Sequence, residues 1–285
     1  MYDGFIIINS EHCALFSESI IMEDNINKKV LIKKNLKITY QFPKYRILDF
    51  IIAGTMKGGT SAAIKNLSQH KDISMVKNEI HFFDNKNNYM KGLQWYKNNF
   101  DYSKKMVGDK APDVMYDPSC LELLQVMNPH VKIILFLRNP IDRAYSHWKM
   151  LRDLFRNKLP FEYCIYDEIK NRWGENRNSK AIFRYHIAQR GLYYQQIETI
   201  LKYFSKDNLL IIISEKIRKN PDEEHQKIFD FLEVDEYHGN FAEHFSSDDK
   251  STIDKKSAIY KDLKKIYSPD VKKLEKFLGY KTGWW

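Results

Sequence analysis

The chain of 285 residues holds only three cysteines, Cys13, Cys120 and Cys164, and no C-x-x-C pair. An odd number at such wide spacing gives neither a zinc or redox motif nor a disulfide framework, which fits a reducing compartment. Long hydrophobic runs are missing as well. The longest, such as Ile133 to Leu137 and Leu209 to Ile213, fall far short of the ~20 residues that a membrane-spanning helix requires. The opening stretch MYDGFIIINSEHC has no basic leader and no long apolar segment, so it does not read as a signal peptide. A soluble, cytoplasmic protein without a membrane span is therefore expected. Internal repeats and low-complexity linkers are absent too. So is the G-x-x-x-x-G-K-[ST] order of a nucleotide triphosphate loop.

What is present suffices for a full core: 43% of residues are hydrophobic and 14% aromatic. The formal net charge is +9. Such a charge suits either a solvated lysine-rich surface or a negatively charged partner, and alone it does not choose between them. No nucleic-acid recognition motif accompanies it, so a nucleic-acid partner is not expected. Residues 1–46 alternate short apolar runs with polar turns and read as a β-rich arm without chemistry.

From residue 47 to 285 the pattern becomes strand, turn, helix. ILDFIIAG, KMVGDK, VKIILFLR and NLLIIIS read as buried strands. Helices are expected from Thr60 to about His70, from Pro140 along IDRAYSHWKMLRDLF, along YYQQIETILKYF, from Pro221, and from PDVKKLEKFLGY near the end. The fold class is thus α/β: one domain with a central, mainly parallel sheet flanked by helices. Ligands of such sheets sit at the C-terminal strand ends. Gly54–Ser61 and Arg138–Ser146 both follow strand ends, so both are expected to open onto one crevice.

The segment DFIIAGTMKGGTSAAIKNL, residues 49–67, carries the first signal. Gly58 and Gly59 allow the backbone to approach an anion, and Thr60 and Ser61 open a helix whose N-terminus favours negative charge. Lys57 adds a full charge, but it precedes the glycines, the reverse of a P-loop. The second signal is FLRNPIDRAYSHW, in which Arg138 and Ser146 can converge on one phosphate.

In this order the two loops resemble those of the sulfotransferases that use PAPS, 3′-phosphoadenosine 5′-phosphosulfate. In that family the Lys-Gly-Gly-Thr loop holds the 5′-phosphosulfate and the Leu-Arg-Asn-Pro…Ser segment the 3′-phosphate. The similarity is greatest to the heparan sulfate N- and 3-O-sulfotransferases and their bacterial relatives. NEIHFFDN at 78–85, GLQWYKNNF at 92–100 and DKAPDVMYDP at 109–118 resemble their segments, and KYFSKDNLLIIISEKIRKNP and the final LGYKTGWW resemble the late strand and terminus of the wider family. The resemblance implies a P-loop-like fold and PAPS as donor with PAP, its desulfated form, as product. It implies no metal and an acceptor bearing a hydroxyl or amine, such as a glycan. It assigns Glu79 as general base, with His81 as competitor, and Lys57 and Lys110 as the charges that stabilise the transferring group. It assigns Lys57, Gly58, Gly59, Thr60, Ser61, Arg138, Ser146 and Tyr193 to the nucleotide. Glu79, in a Phe-rich segment, is expected to be partly desolvated. Trp95 and Tyr96 are expected in the core, and the basic face of HWKMLRDLFR in solvent. The family's late Lys-Gly-Arg loop has no direct counterpart; Lys250, within 246–258, is nearest. A P-loop-type kinase and a non-catalytic nucleotide- or glycan-binding module are the alternatives. The first would need the absent G-K-[ST] loop, and the second would lack Glu79, Lys57 or Lys110.

Overall fold

The computed structural model describes residues 46–155, 159–173, 186–241 and 251–285. All but the last residue of the expected N-terminal arm, together with Cys13 and Lys250, lies outside them. In chain order the elements are β1 (Phe50–Gly54), α1 (Thr60–Leu67), β2 (Ile73–Met75), α2 (Lys86–Tyr89), α3 (Gly92–Lys97), β3 (Met106–Lys110), α4 (Pro118–Met127), β4 (Lys132–Leu137), α5 (Pro140–Phe155) and α6 (Phe161–Asp167), which runs into a π turn at Glu168–Arg172. After these come α7 (Tyr193–Tyr203), β5 (Leu209–Ile213), α8 (Ser214–Lys219), α9 (Pro221–Leu232) and α10 (Ala258–Leu278).

The five strands form one sheet in the order β2-β3-β1-β4-β5, and every pairing is parallel. Side chains of a strand alternate between faces, and the core divides accordingly. Phe50, Ile52, Ile134, Phe136 and Ile212 face α1 and α9, where Ala63, Leu67, Ile228, Phe229 and Leu232 cover them. Ile51, Ala53, Ile133, Leu135 and Leu137 face the other way, into the larger core with Leu121 and Leu124 of α4, Ile141 and Ala144 of α5, and Ile197 and Ile200 of α7. Both faces are buried, which explains why the strands read as continuous apolar runs rather than alternating ones. No helix of the described residues is long and apolar enough to cross a membrane.

Two boundaries differ from expectation. The first helix ends at Leu67, not near His70: the Ser68 hydroxyl bonds back to the Ile64 carbonyl at 2.7 Å, and His70 Nδ1 accepts the Asp72 N–H at 3.1 Å. The last helix starts eleven residues before Pro269, which lies inside it. An interior proline costs about 3 kcal/mol. Here the helix persists because its buried stripe, Tyr260, Leu263, Tyr267, Val271 and Leu274, passes straight through. Asp270 adds a tertiary tie by accepting the N–H groups of Tyr194 and Gln195 at the start of α7, at 2.9 and 3.3 Å.

The turn between β1 and α1 decides where the site lies. A Cβ on Gly58 would sit 2.2 Å from the Phe136 carbonyl oxygen of β4, whereas Gly59 adopts φ +98° beside open space. Gly58 is thus required for close approach and Gly59 for a left-handed conformation. We expect Gly59→Ala to cost about 1–2 kcal/mol, the usual penalty for that conformation. Gly58→Ala should cost more, because two backbone segments must part. Denaturant unfolding of the two variants checks the order, and equal losses would contradict it.

Candidate active site

The loops after β1 and β4 are neighbours because their strands pair, and the Thr55 N–H donates to the Phe136 carbonyl at 3.0 Å. Within the first loop, Lys57 has φ 69° and Gly59 caps α1 in the left-handed region. The Gly58 N–H is consumed inside the turn by the Thr55 carbonyl at 2.8 Å. This corrects the expectation that it faces an anion. The donors that the helix start leaves without a carbonyl are those of Gly59, Thr60 and Ser61.

β3 delivers Lys110 to the same edge. Its side chain is 6% exposed, donates to Ser61 Oγ at 3.0 Å and forms an ion pair with Glu79 Oε1. Asp109, the preceding residue, is fully buried and fixes the end of the strand. Its Oδ1 accepts the Lys110 N–H at 2.6 Å, and its Oδ2 accepts the Tyr96 hydroxyl at 2.7 Å. Tyr96 and Phe82 stack in the core with centroids 4.3 Å apart, and Phe83 is also buried. The rings of the NEIHFFD segment thus point inward and anchor it. Glu79 points outward between two cations, 3.4 Å from His81 Nε2 on the side away from Lys110. The carboxylate is half-buried, in keeping with the expected partial desolvation.

His81 has φ 52° and its Nδ1 lies 2.8 Å from Asp84 Oδ2. Of the three non-glycine residues with positive φ among those described, two, Lys57 and His81, belong to this site. Such conformations cost of order 1–3 kcal/mol and collect at functional sites. The hydrogen bond to Asp84, aided by the charges of Asp84 and Glu79 and opposed by burial, raises the His81 pKa to about 9. His81, Asp84 and Asp113 each bring one ligand-type atom within 4.8 Å of the others. Asp84 Oδ2 holds His81 and Asp113 Oδ1 accepts from Arg190 Nη1 at 2.8 Å, while Asp84 Oδ1 is buried without a hydrogen-bond partner.

Cations accumulate around the first loop. Burial depresses the Lys57 pKa, and the charges of Arg138, Lys110 and Lys149 depress it further, with Glu79 acting in the opposite sense. A bound anion would relieve this potential. Arg138 is likewise held below the usual guanidinium range, by burial first and then by Arg218, and its Nε is buried without a hydrogen-bond partner. Ser146 lies on α5, half-buried, and one helical turn on is Lys149, 7% exposed, donating to the Ser251 carbonyl at 2.9 Å.

Lys149 therefore does not belong to a solvated face, which corrects that expectation. Its i, i+3 spacing from Ser146 was a usable signal. Arg218, on α8, gave no such signal; only the pairing of β4 with β5 brings it near Arg138. Tyr193 is buried, and its hydroxyl donates to the Arg138 carbonyl at 2.7 Å, so it supports the second loop from behind. Tyr96 is core as expected. Trp95 is half-buried beneath the Lys91 ammonium, 4.4 Å from its ring.

A family model described as the sulfotransferase domain matches residues 48–259, well over half of the chain. The chain belongs to the sulfotransferase family. It is 29% identical over 188 residues, 65% of its length, to heparan sulfate glucosamine 3-O-sulfotransferase 5 of Mus musculus, of which the match covers 53%. It is 28% identical over 203 residues to the bifunctional heparan sulfate N-deacetylase/N-sulfotransferase 1 of Caenorhabditis briggsae, covering 68% of this chain and 23% of that protein. The chain thus spans about half the length of the first relative and about a quarter of the second. The crystal structure of a sulfotransferase from Alicyclobacillus acidocaldarius superposes with a TM-score of 0.66 at 22% identity, over 84% of this chain and 99% of that one, and shows the same fold. The kinase alternative is not favoured by these matches.

The His81–Asp84 contact predicts a pH effect on stability. The folded-state pKa, about 9, exceeds the ordinary value of 6.5. The stabilisation is therefore complete below pH 6.5 and is lost as pH rises through about 9. Melting temperatures of the wild type and His81→Gln should converge between pH 6 and pH 10 (about the limits of that window). Parallel profiles would contradict the assignment.

Proposed function

We propose that this chain transfers a sulfuryl group from PAPS to a hydroxyl or amine of a carbohydrate acceptor. The observation that carries the proposal is the junction of Glu79, Lys110 and Ser61 at the mouth of the Lys57 loop. A carboxylate, a buried ammonium and a helix N-terminus meet there at the C-terminal edge of a parallel sheet. Family membership and the two heparan sulfate relatives support the donor and the acceptor class.

In this reading Glu79 accepts the acceptor's proton while the acceptor oxygen or nitrogen attacks sulfur. The bond between sulfur and the 5′-phosphate oxygen breaks in line, the sulfuryl group moves to the acceptor, and PAP departs. Lys57, with the N–H groups of Gly59, Thr60 and Ser61, takes up the charge that grows on the leaving phosphate. An ammonium has three donors. Lys110 uses one on Glu79 and one on Ser61, and the third is left for a sulfuryl oxygen. Arg138 and Ser146 receive the 3′-phosphate, with Arg218 adding charge behind Arg138. His81, held by Asp84, orients Glu79 from the other side.

Incubation with sulfur-labelled PAPS and a panel of glycans, phenols and amines should give labelled glycan and PAP. Label on phenols alone would contradict the acceptor class, and no transfer to any acceptor would contradict the function. Glu79→Gln should lower kcat by roughly 10²–10⁴, the usual effect of losing a general base, with little change in PAP affinity. Wild-type turnover in Glu79→Gln together with an inactive, folded His81→Ala would transfer the role of base to His81.

A further inference from the structure

Trp284 follows α10, is only 7% exposed, and joins the larger core beside the second anion loop. Its indole N–H donates to Glu215 Oε2 at 2.9 Å. The other oxygen of Glu215 accepts the backbone N–H of Asn139 at 2.9 Å. The Asn139 amide in turn donates to the Trp284 carbonyl at 3.2 Å, and its Oδ1 caps α5 by accepting the Ile141 and Asp142 N–H groups at 2.9 and 3.3 Å. The Tyr193 ring contacts the indole at 5.8 Å between centroids, while its hydroxyl holds the Arg138 carbonyl at 2.7 Å. Every one of these contacts converges on Arg138 and Asn139.

Both oxygens of Glu215 are therefore occupied by neutral donors, although the charge of the carboxylate is felt at Arg138. The guanidinium makes no ion pair among the described residues, and its Nε is buried and unpartnered. Glu215 holds the backbone N–H of Asn139, the residue next to Arg138, and a carboxylate beside a guanidinium can pair with it in a bidentate fashion. Here they do not, because the indole and the Asn139 N–H hold the carboxylate in another direction.

We propose that Trp284 is a positioning residue: by engaging Glu215 it keeps that carboxylate off Arg138 and leaves the guanidinium for the 3′-phosphate of the donor. The inference rests on the reading of Arg138 as a 3′-phosphate ligand. Trp284→Phe keeps the ring against Tyr193 and removes only the N–H. One oxygen of Glu215 then lacks its partner, and the nearby guanidinium competes for it. Glu215→Gln in the same background removes the competing charge and keeps an oxygen for Asn139.

Titration calorimetry with PAP and with adenosine 5′-phosphate, which lacks the 3′-phosphate, separates the possibilities. The wild type should prefer PAP, and Arg138→Ala should lose that preference. Trp284→Phe should bind PAP about tenfold more weakly, the scale of one contact to a charged group. Its affinity for adenosine 5′-phosphate should stay unchanged, which also reports an intact fold. Trp284→Phe/Glu215→Gln should bind PAP within about threefold of the wild type. If Trp284→Phe folds poorly, Trp284→His, which keeps a ring N–H for Glu215, carries the test: it should bind PAP within about threefold of the wild type, and a tenfold loss of PAP binding alone would overturn the inference. A merely structural role for Trp284 would weaken both ligands together and would not be relieved by Glu215→Gln. Unchanged PAP binding in Trp284→Phe, or a tenfold loss that persists in the double variant, overturns the inference while leaving Arg138 as the ligand. Equal binding of both nucleotides by the wild type overturns both.

Discussion

Accumulated positive charge at the C-terminal edge of the sheet is the constraint on which the site depends. Lys57, Lys110, Lys149 and Arg138 come from three different segments; burial first, and then the repulsion of the other three, depresses the pKa of Lys57. Glu79 opposes it there. A protein holds like charges together, partly out of water, when a ligand of opposite charge completes the arrangement. A donor with phosphate at both its 5′ and 3′ ends has the right sign and the right two-ended distribution. Anchors on every side maintain the strain: Asp109 and Tyr96 under Lys110, the Phe82 and Phe83 rings under Glu79, and Tyr193 and Asn139 behind Arg138.

Sheet polarity explains why two loops so distant in sequence share one cleft. β1 and β4 are parallel neighbours, so whatever follows each must emerge at the same end. The glycine pair divides the labour at that end. Gly58 lets the turn lie against the backbone of β4, and Gly59 turns the chain into α1. The site is therefore built into the fold's central seam, and small errors in strand register would separate Lys57 from Lys110.

Much of this was legible in the residues. The buried strands announced themselves as β-branched apolar runs, and α5 and α9 were marked by Pro140 and Pro221 at their starts. The meeting of Gly54–Ser61 with Arg138–Ser146 at one edge followed from strand ends alone, whereas Lys110 beside Lys57 came from the family resemblance. What escaped had physical causes. β2 is three residues long and too short for a period to show. α4 carried a cap, Asp117 accepting the Ser119 N–H, and a proline after it, but its apolar residues are buried on most sides and give little periodicity. α10 crosses Pro269 because tertiary burial outweighs the local rule. Arg218 and Trp284 act on Arg138 through neighbours that only the topology brings together.

The central claim is that one cleft receives both ends of the donor nucleotide. A crystal structure of the protein with PAP tests it most directly. The account predicts the 5′-phosphate on the N–H groups of Gly59, Thr60 and Ser61 with Lys57 beside it, and the 3′-phosphate on Arg138 and Ser146. A nucleotide bound elsewhere, or one whose 3′-phosphate points away from Arg138 into solvent, would contradict it.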